Sequence, residues 1–137
     1  MHKRLSVIGD VAYLSTRLRE ADRMEVEALG FTPFSALMQG HLGDHCWTVE
    51  FDGEAVCMYG VNKGLVWLLG SDRLLDNKIR FARQSVIERD RLLSMYPVLT
   101  NIVHLNNTVH VRLLKWLGAE FGNINNEFQE FRLCVAH

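Results

Sequence analysis

Apolar positions near the start of the chain recur every three or four residues. They follow a short strand-like run at 4–8 and Asp10, a residue type that often caps a helix. This spacing predicts helical structure over 11–29, with a break near Asp22. The apolar positions that set the period are Leu14, Leu18, Ala21, Met24 and Ala28.

Beyond residue 31, a short helix gives way to strands. Thr32 and Pro33 suit the cap and the first turn of that helix. The period then changes, and the turn signals Asp52-Gly53 and 62–64 separate β-branched and aromatic runs. These features predict three consecutive antiparallel strands, joined as hairpins. The predicted strands are 46–51, 54–61 and 65–70.

The second half alternates helices with strands. An apolar stripe predicts a long helix over 72–95, and Pro97 precedes a strand-like run. Gly118 ends a second, amphipathic helix. The pattern predicts the order β-α-α-β-β-β-α-β-α-β-β in one mixed α/β domain over 1–137. The later elements are a strand at 98–105, a helix at 107–117 and final strands at 119–124 and 128–136.

Composition narrows the class of protein. The 137 residues carry a formal net charge of -1, so no overall field attracts nucleic acid or a membrane surface. No stretch approaches the roughly 18 apolar residues that span a bilayer. The three cysteines are widely spaced and no CxxC occurs, which argues against a zinc ribbon or a disulfide framework. Cys57 lies in an apolar run and is expected to be a core thiol in a reducing cytoplasm.

The order of elements resembles the Gcn5-related N-acetyltransferase (GNAT) fold. DVAYLSTRLREADRMEVEALG resembles its helical start, WLLGS its central strands and YPVLTNIVHLNNTVHVRLLKWLGAEF its last crossover. GNAT crossovers commonly carry Asn, then Leu-Tyr, then Lys-x-Gly-Phe. Asn107, Leu113 and Gly118 match this pattern, and Phe121 comes slightly late. GDHCW and VHLNNTVHVRLLKWLGAEF further resemble the internal virion protein A family of short-tailed phages.

This resemblance implies a GNAT-like α/β fold with a mixed, mostly antiparallel sheet flanked by helices. It also implies a phage protein without catalytic activity, acting in virion assembly or the ejection apparatus. Its partners would be other phage structural or internal proteins, with no nucleic acid and no membrane insertion. It would lie in the host cytoplasm during infection, and in the virion if it stays with the particle. The alternative is an active N-acetyltransferase that uses acetyl-CoA to modify a host or phage protein.

The loop after the predicted central strand weighs against the enzyme. GNAT enzymes hold the pyrophosphate of coenzyme A with a glycine-rich loop, whose bare amides open a helix. Here no glycine follows Gly70 until Gly118, and Asp72 places an anion where the pyrophosphate would lie. Arg73 offsets that charge without restoring the amides. We therefore expect no cofactor. If coenzyme A does bind, the resemblance implies contacts from Leu68, Leu69, Gly70, Arg73, Asn106 and Asn107.

Catalytic groups are also sparse. GNAT enzymes often protonate the leaving thiolate with a tyrosine on the last helix, and the matching position here is Leu114. The strand LVWLLG offers no base. His104 and His110 flank the crossover and are the only candidates for a general base, because histidine titrates near neutrality.

The remaining polar and aromatic candidates each have two interpretations. Asn106 and Asn107 are expected to cap a helix, or else to contact a pantetheine arm. The cluster HLGDHC is expected to be a loop and not a metal site, because Gly43 interrupts helical spacing of its histidines. Trp116 is the best candidate for an anchor to a partner protein.

Overall fold

The computed structural model describes residues 1–135. These residues form two compact units, Met1–Asp76 and Asn77–His137, the second described as far as residue 135. The single domain over 1–137 stays a prediction. Within residues 1–135, none of the helices combines the length and apolar character that crossing a membrane requires.

The first unit combines three helices with four antiparallel strands, which lie side by side in their order along the chain. Its strands are β1 (His2–Leu5), β2 (His45–Phe51), β3 (Glu54–Asn62) and β4 (Leu65–Gly70). Its helices are α1 (Ile8–Ser15), α2 (Glu20–Ala28) and α3 (Pro33–His41). The core lies between the helices and the strands, and its fully buried members include Val11, Leu14, Leu37 and Met58.

Local chemistry explains where these helices begin. Thr32 and Ser35 exchange side-chain and backbone hydrogen bonds of 3.0 and 2.9 Å, and Pro33 is the first helical residue, so the predicted start of α3 is confirmed. Asp10 does not precede α1 but lies in its first turn, where its carboxylate accepts the Val7 N–H at 2.9 Å. The strand predicted at 4–8 therefore ends early, because Ile8 already belongs to the helix.

The predicted helix over 11–29 is divided into two. The break lies at 16–19, before Asp22, which is inside α2. Residues 16 and 17 form a turn, and Leu18 forms an isolated antiparallel bridge with Ser71, the residue after β4. Gly30 ends the region with a φ of 89°.

The second unit contains two α-helices and three antiparallel strands, and the last of these strands in sequence lies between the other two. The predicted helix over 72–95 is a 3-10 helix at Asp72–Asn77 followed by α4 (Lys78–Met95). The remaining elements are β5 (Val98–His104), α5 (Thr108–Trp116), β6 (Glu120–Asn125) and β7 (Phe128–Cys134). The predicted last strand extends to position 136, which lies outside the described residues.

Candidate functional site

The end of β4 is where the resemblance would place a cofactor. The Ser71 N–H donates to the Val56 carbonyl at 2.8 Å, and Gly70 lies opposite Cys57 in the same register. Because hydrogen-bonded and non-hydrogen-bonded pairs alternate along an antiparallel ladder, Gly70 and Cys57 form a non-hydrogen-bonded pair. Both backbone groups of Gly70 therefore point away from β3.

The backbone N–H and carbonyl of Gly70 are both hydrogen-bonded by residues of the α1–α2 connection and of α2. The Arg19 N–H donates to the Gly70 carbonyl at 2.8 Å, and the Gly70 N–H donates to Asp22 Oδ2 at 2.9 Å. Asp22 Oδ1 in turn accepts from Arg19 Nη1 at 3.0 Å. We refer to Arg19, Asp22 and Gly70 as the β4 clasp. The clasp fills the side of β4 opposite β3 at this point.

The two charges of the clasp depend on each other. Asp22 is 0% exposed and Arg19 is 6% exposed. A buried charge without a partner is strongly destabilising, whereas a buried pair with further hydrogen bonds is tolerated. Asp22 meets this requirement with the Arg19 guanidinium on one oxygen and the Gly70 amide on the other. Moving Asp22 away from Gly70 would therefore also disturb the Arg19 side chain.

Packing explains why residue 70 is a glycine. A Cβ at this position would lie 3.0 Å from Cys57 Cβ, 3.1 Å from the Val56 carbonyl oxygen and 3.3 Å from Leu74 Cδ2. The space is therefore filled by the protein itself. Ser71 Oγ is buried and makes no hydrogen bond to any residue in the range 1–135. The donors at this strand end do not match the open amide cradle that the resemblance requires.

The neighbouring candidates on this unit have structural contacts. Leu68 and Leu69 pair with β3, and Leu69 is 7% exposed. Arg73 binds Asp76 through Nε at 2.9 Å and also hydrogen-bonds the carboxylate of Glu54. The hydrogen bond with Asp76, followed by the charge of Glu54, raises the pKa of Arg73. Arg73 is thus an ion-pair residue in this structure.

An open pocket with a volume of about 420 Å³ lies beside the contact between Arg73 and Glu54. The Tyr13 hydroxyl donates to Glu54 Oε2 at 2.7 Å there, and this bond raises the pKa of Tyr13. The polar groups of this surface are already engaged with one another. Its lining residues are Arg4, Asp10, Tyr13, Gly53, Glu54 and Ala55.

His104 is fixed at the junction of β5 and α5. Its Nδ1 accepts the Asn106 N–H at 3.1 Å, and its Nε2 lies 3.2 Å from Glu127 Oε2. The ring also meets Phe128 edge-on, with the centroids 5.1 Å apart. The Nδ1 lone pair is therefore used by the backbone, so the neutral ring carries its proton on Nε2. The assignment of His104 as a general base stays a prediction, and this geometry lends it no support.

The two asparagines differ sharply in exposure. Asn106 is exposed, whereas Asn107 is 1% exposed. Asn107 occupies the cap position of α5, and its carbonyl accepts the Val111 N–H at 3.0 Å, but its side chain makes no capping hydrogen bond. The predicted N-cap position is therefore confirmed for Asn107, but the side-chain hydrogen bond that usually accompanies it is absent. His110, the other candidate base, is 7% exposed on α5.

Trp116 ends α5 and lies against α4. Its Nε1 donates to the Ala82 carbonyl at 3.2 Å, while the residue stays 58% exposed. Arg89 Nη1 donates to the Leu117 carbonyl at 2.8 Å and so fixes the same helix end. Trp116 is thus held at its indole nitrogen and exposed over much of its ring.

The HLGDHC cluster is dispersed among separate contacts. His41 Nδ1 is 2.7 Å from Ser6 Oγ, the Asp44 carboxylate accepts the Lys63 N–H, and His45 stacks on Trp47. Residues 1–135 contain no group of three or more His, Cys, Asp or Glu side chains placed to hold a metal ion.

Solved structures with the same architecture include several acetyltransferases. PaiA N-acetyltransferase from Thermoplasma acidophilum, in complex with coenzyme A, has a TM-score of 0.70 and 11% identity, with 98% of each chain covered. The GNAT domain of S. lividans PAT has a TM-score of 0.70 and 10% identity, over 97% of this chain and 89% of that one. The Escherichia coli ribosomal-protein-S18-alanine N-acetyltransferase has a TM-score of 0.65 and 11% identity, over 99% and 96%. The predicted GNAT-like α/β fold is confirmed.

Sequence similarity identifies the lineage. The family described as "Bacteriophage T7, probable scaffold protein Gp13" matches residues 36–128. The probable scaffold protein gp13 of Escherichia phage T7 is 30% identical over 112 residues, which are 82% of this chain and 70% of that protein. Together with the fold, these matches confirm that the chain is a GNAT-like phage protein. Because the matches span most of the chain, the protein belongs to the family of the bacteriophage T7 probable scaffold protein Gp13.

Proposed function

We propose that this protein uses its GNAT fold for phage assembly and does not transfer acetyl groups. The observation that carries the proposal is the β4 clasp, in which the Gly70 N–H is held by the Asp22 carboxylate at 2.9 Å. Its role is that of the internal virion protein A family, in virion assembly or the ejection apparatus.

The chemistry of acyl transfer explains why the clasp matters. An acetyltransferase aims preorganised hydrogen-bond donors at the oxygen that becomes negative in the transition state. At the end of β4 the outward amide donates to a carboxylate instead. A carbonyl or phosphate oxygen would have to displace Asp22, which would leave the buried Arg19 cation without its partner. Breaking such a pair costs about 3–5 kcal/mol, more than one new hydrogen bond returns.

The partner class follows from the relative. The T7 protein is named a probable scaffold protein. We infer that the partners of this chain are other phage structural or internal proteins, met in the host cytoplasm during infection. A place in the mature particle belongs to the same proposal.

Calorimetric titration with acetyl-CoA and with CoA tests the loss of the cofactor site. The E. coli alanine N-acetyltransferase serves as a positive control with the same fold. We expect no heat and no rise in Tm at millimolar ligand, whereas a ligand at about 100 times its Kd would stabilise the fold by about 2.7 kcal/mol. Micromolar binding that Asn107→Ala abolishes would overturn the proposal.

Particle composition tests the assembly role. A phage with stop codons in this gene is complemented either with the wild-type chain or with Asn107→Ala, once that variant is shown to fold. Without the gene, we expect particles of altered protein composition. The wild-type chain and Asn107→Ala should restore the normal composition equally well. Normal particles without the gene would refute the role, and rescue by the wild-type chain alone would show that assembly depends on Asn107.

Acetyl transfer is the second candidate function, and one observation favours it. The first turn of α4 contains Lys78 and Arg80 and no acidic residue, so its amides and cations are suited to an anion. Acetylation of a host or phage protein, detected by mass spectrometry with labelled acetyl-CoA, would establish this function in place of the first.

A further inference from the structure

Five exposed cations on α4 and α5 have no acidic partner. No ion pair joins them to any side chain in the part of the chain that the structure describes, 1–135. The other arginines of this unit are paired: Arg89 with Asp90 at 2.9 Å, Arg91 with Glu88 at 2.8 Å, and Arg132 with Glu120 at 2.7 Å. The five cations are Lys78, Arg80, Arg83, Arg112 and Lys115.

Two exposed apolar side chains lie on the same two helices as these cations. Trp116 and Ile79 are 58% and 66% exposed, and the Trp116 Nε1–H donates to the Ala82 carbonyl, one turn after Ile79. Residues three or four apart are neighbours on a helix, so Arg112 lies beside Trp116. Arg83 directly follows Ala82 on the exposed side of α4. We call Lys78, Ile79, Arg83, Arg112 and Trp116 the Trp116 face.

The stability of the unit does not explain this arrangement. Cations in the first turn of a helix face the positive end of its dipole, which is unfavourable by about 0.3–1 kcal/mol each. Lys78 and Arg80 occupy that turn in α4. An exposed tryptophan with unpaired cations on the same helices is instead the composition of a binding surface, in which aromatic and arginine side chains carry most of the energy.

We propose that the Trp116 face binds an acidic segment of a partner protein that inserts one large apolar side chain beside Trp116. This inference rests on the proposed function, because it gives the surface on which the phage partner docks. The unpaired cations attract the acidic side chains, and the indole with Ile79 buries the apolar residue. Nucleic acid is disfavoured because the chain as a whole carries a net charge of -1.

Fluorescence anisotropy with the full chain tests the proposal. The probe is a labelled 12-residue peptide of Glu, Asp and two Leu. A second peptide with Gln and Asn at the acidic positions isolates charge, and a short DNA duplex represents the other macromolecule. We expect micromolar binding of the acidic peptide that weakens as salt rises, and at least tenfold weaker binding of the amide peptide and of DNA.

Matched variants localise the binding. Arg83→Glu and Arg112→Glu change exposed side chains and should each weaken binding about tenfold, as should Trp116→Ala. Lys63→Glu changes the charge by the same amount in the β3–β4 turn and should leave binding within about twofold. An equal loss in Lys63→Glu, unchanged binding in all three face variants, or tighter binding of DNA than of the acidic peptide overturns the proposal.

An acetyl-CoA titration of the same samples separates this inference from the proposed function. Acetyl-CoA binding together with acidic-peptide binding overturns the proposed function and leaves the Trp116 face intact. Absence of peptide binding at millimolar concentration, with no heat from acetyl-CoA, overturns the Trp116 face alone.

Discussion

The carboxylate of Asp22 accepts the backbone N–H of Gly70 at 2.9 Å, across 48 positions of sequence. Helix α2 is thereby attached to the end of β4, at the amide that the resemblance implies for cofactor contact. One bond thus contributes to the stability of the first unit and sets the chemistry that remains available at this strand end.

Removal of the Asp22 carboxylate should destabilise the protein severely. Asp22→Ala leaves the buried Arg19 guanidinium and the Gly70 amide without their acceptor, and we expect a loss of about 3–5 kcal/mol in the free energy of unfolding. Urea denaturation followed by circular dichroism measures the loss. Glu27→Ala is the control, because Glu27 pairs with Arg23 at 2.7 Å while 46% exposed and should cost less than about 1 kcal/mol. Similar losses in both variants would contradict the role of the clasp.

A methyl group at position 70 should also be destabilising. Gly70→Ala places its Cβ 3.0 Å from Cys57 Cβ and 3.1 Å from the Val56 carbonyl oxygen, and overpacking of this kind costs about 1–3 kcal/mol. Gly9→Ala is the matched control, since a Cβ at residue 9 of α1 meets nothing within 4 Å. That change should be neutral or stabilising by up to about 1 kcal/mol. Thermal unfolding of the two variants gives both values. Equal stability of Gly70→Ala and the wild-type protein would mean that close packing does not require a glycine at position 70.

Local sequence signals predicted most of the elements. Residues 65–70 form β4 at the predicted positions, because the preceding turn and the apolar run bound the strand. The helix cap at Thr32 was equally local. The helix break was predicted near Asp22 but lies at 16–19. Leu18 pairs there with Ser71, and such a tertiary contact leaves no signal in the spacing of apolar residues.

The candidate site was less accessible to sequence reasoning. Arg19 directly precedes the polar helix α2 and Asp22 lies in its first turn, a spacing of three that is typical of a solvated ion pair, and nothing local indicates that both are buried. Asn107 has the right residue type and position for a cap, yet its side chain is 1% exposed and does not cap the helix. Residue type predicts local hydrogen bonds well, and it fails where a distant segment determines the burial.

The Arg4–Asp10 ion pair should make the free energy of unfolding depend on pH. Two parallel bonds of 2.8 Å join the Arg4 guanidinium to Asp10, which also accepts from Thr48 at 2.8 Å. Burial alone would raise the pKa of Asp10, but the bonds from Arg4, Val7 and Thr48 hold that pKa below its usual value. The stabilisation is therefore complete above the unfolded carboxyl pKa of about 3.9, and it is lost as pH falls through the lower folded value.

Asp10→Asn tests this dependence through urea unfolding at pH 7 and at pH 3. We expect the variant to be about 2 kcal/mol less stable than the wild-type protein at pH 7, with the difference shrinking below about pH 4. Asp90→Asn is the control, because Asp90 is 65% exposed and its loss should matter little at either pH. A difference between the wild-type protein and Asp10→Asn that stays constant with pH would exclude the carboxylate as its source.

The three thiols should differ in reactivity towards iodoacetamide in the folded protein. Burial raises the pKa of Cys57 far above its usual value and also raises that of Cys46, and the thiolate is the form that reacts. Cys134 is half-buried near the end of β7. Peptide mass spectrometry after brief alkylation at about pH 8 should therefore find Cys134 modified first, and all three modified in urea. Cys134→Ser should leave a folded protein that resists the reagent. Native alkylation of Cys57 in that variant would mean that β3 opens on the timescale of the reaction, because a side chain with 0% exposure cannot otherwise meet the reagent.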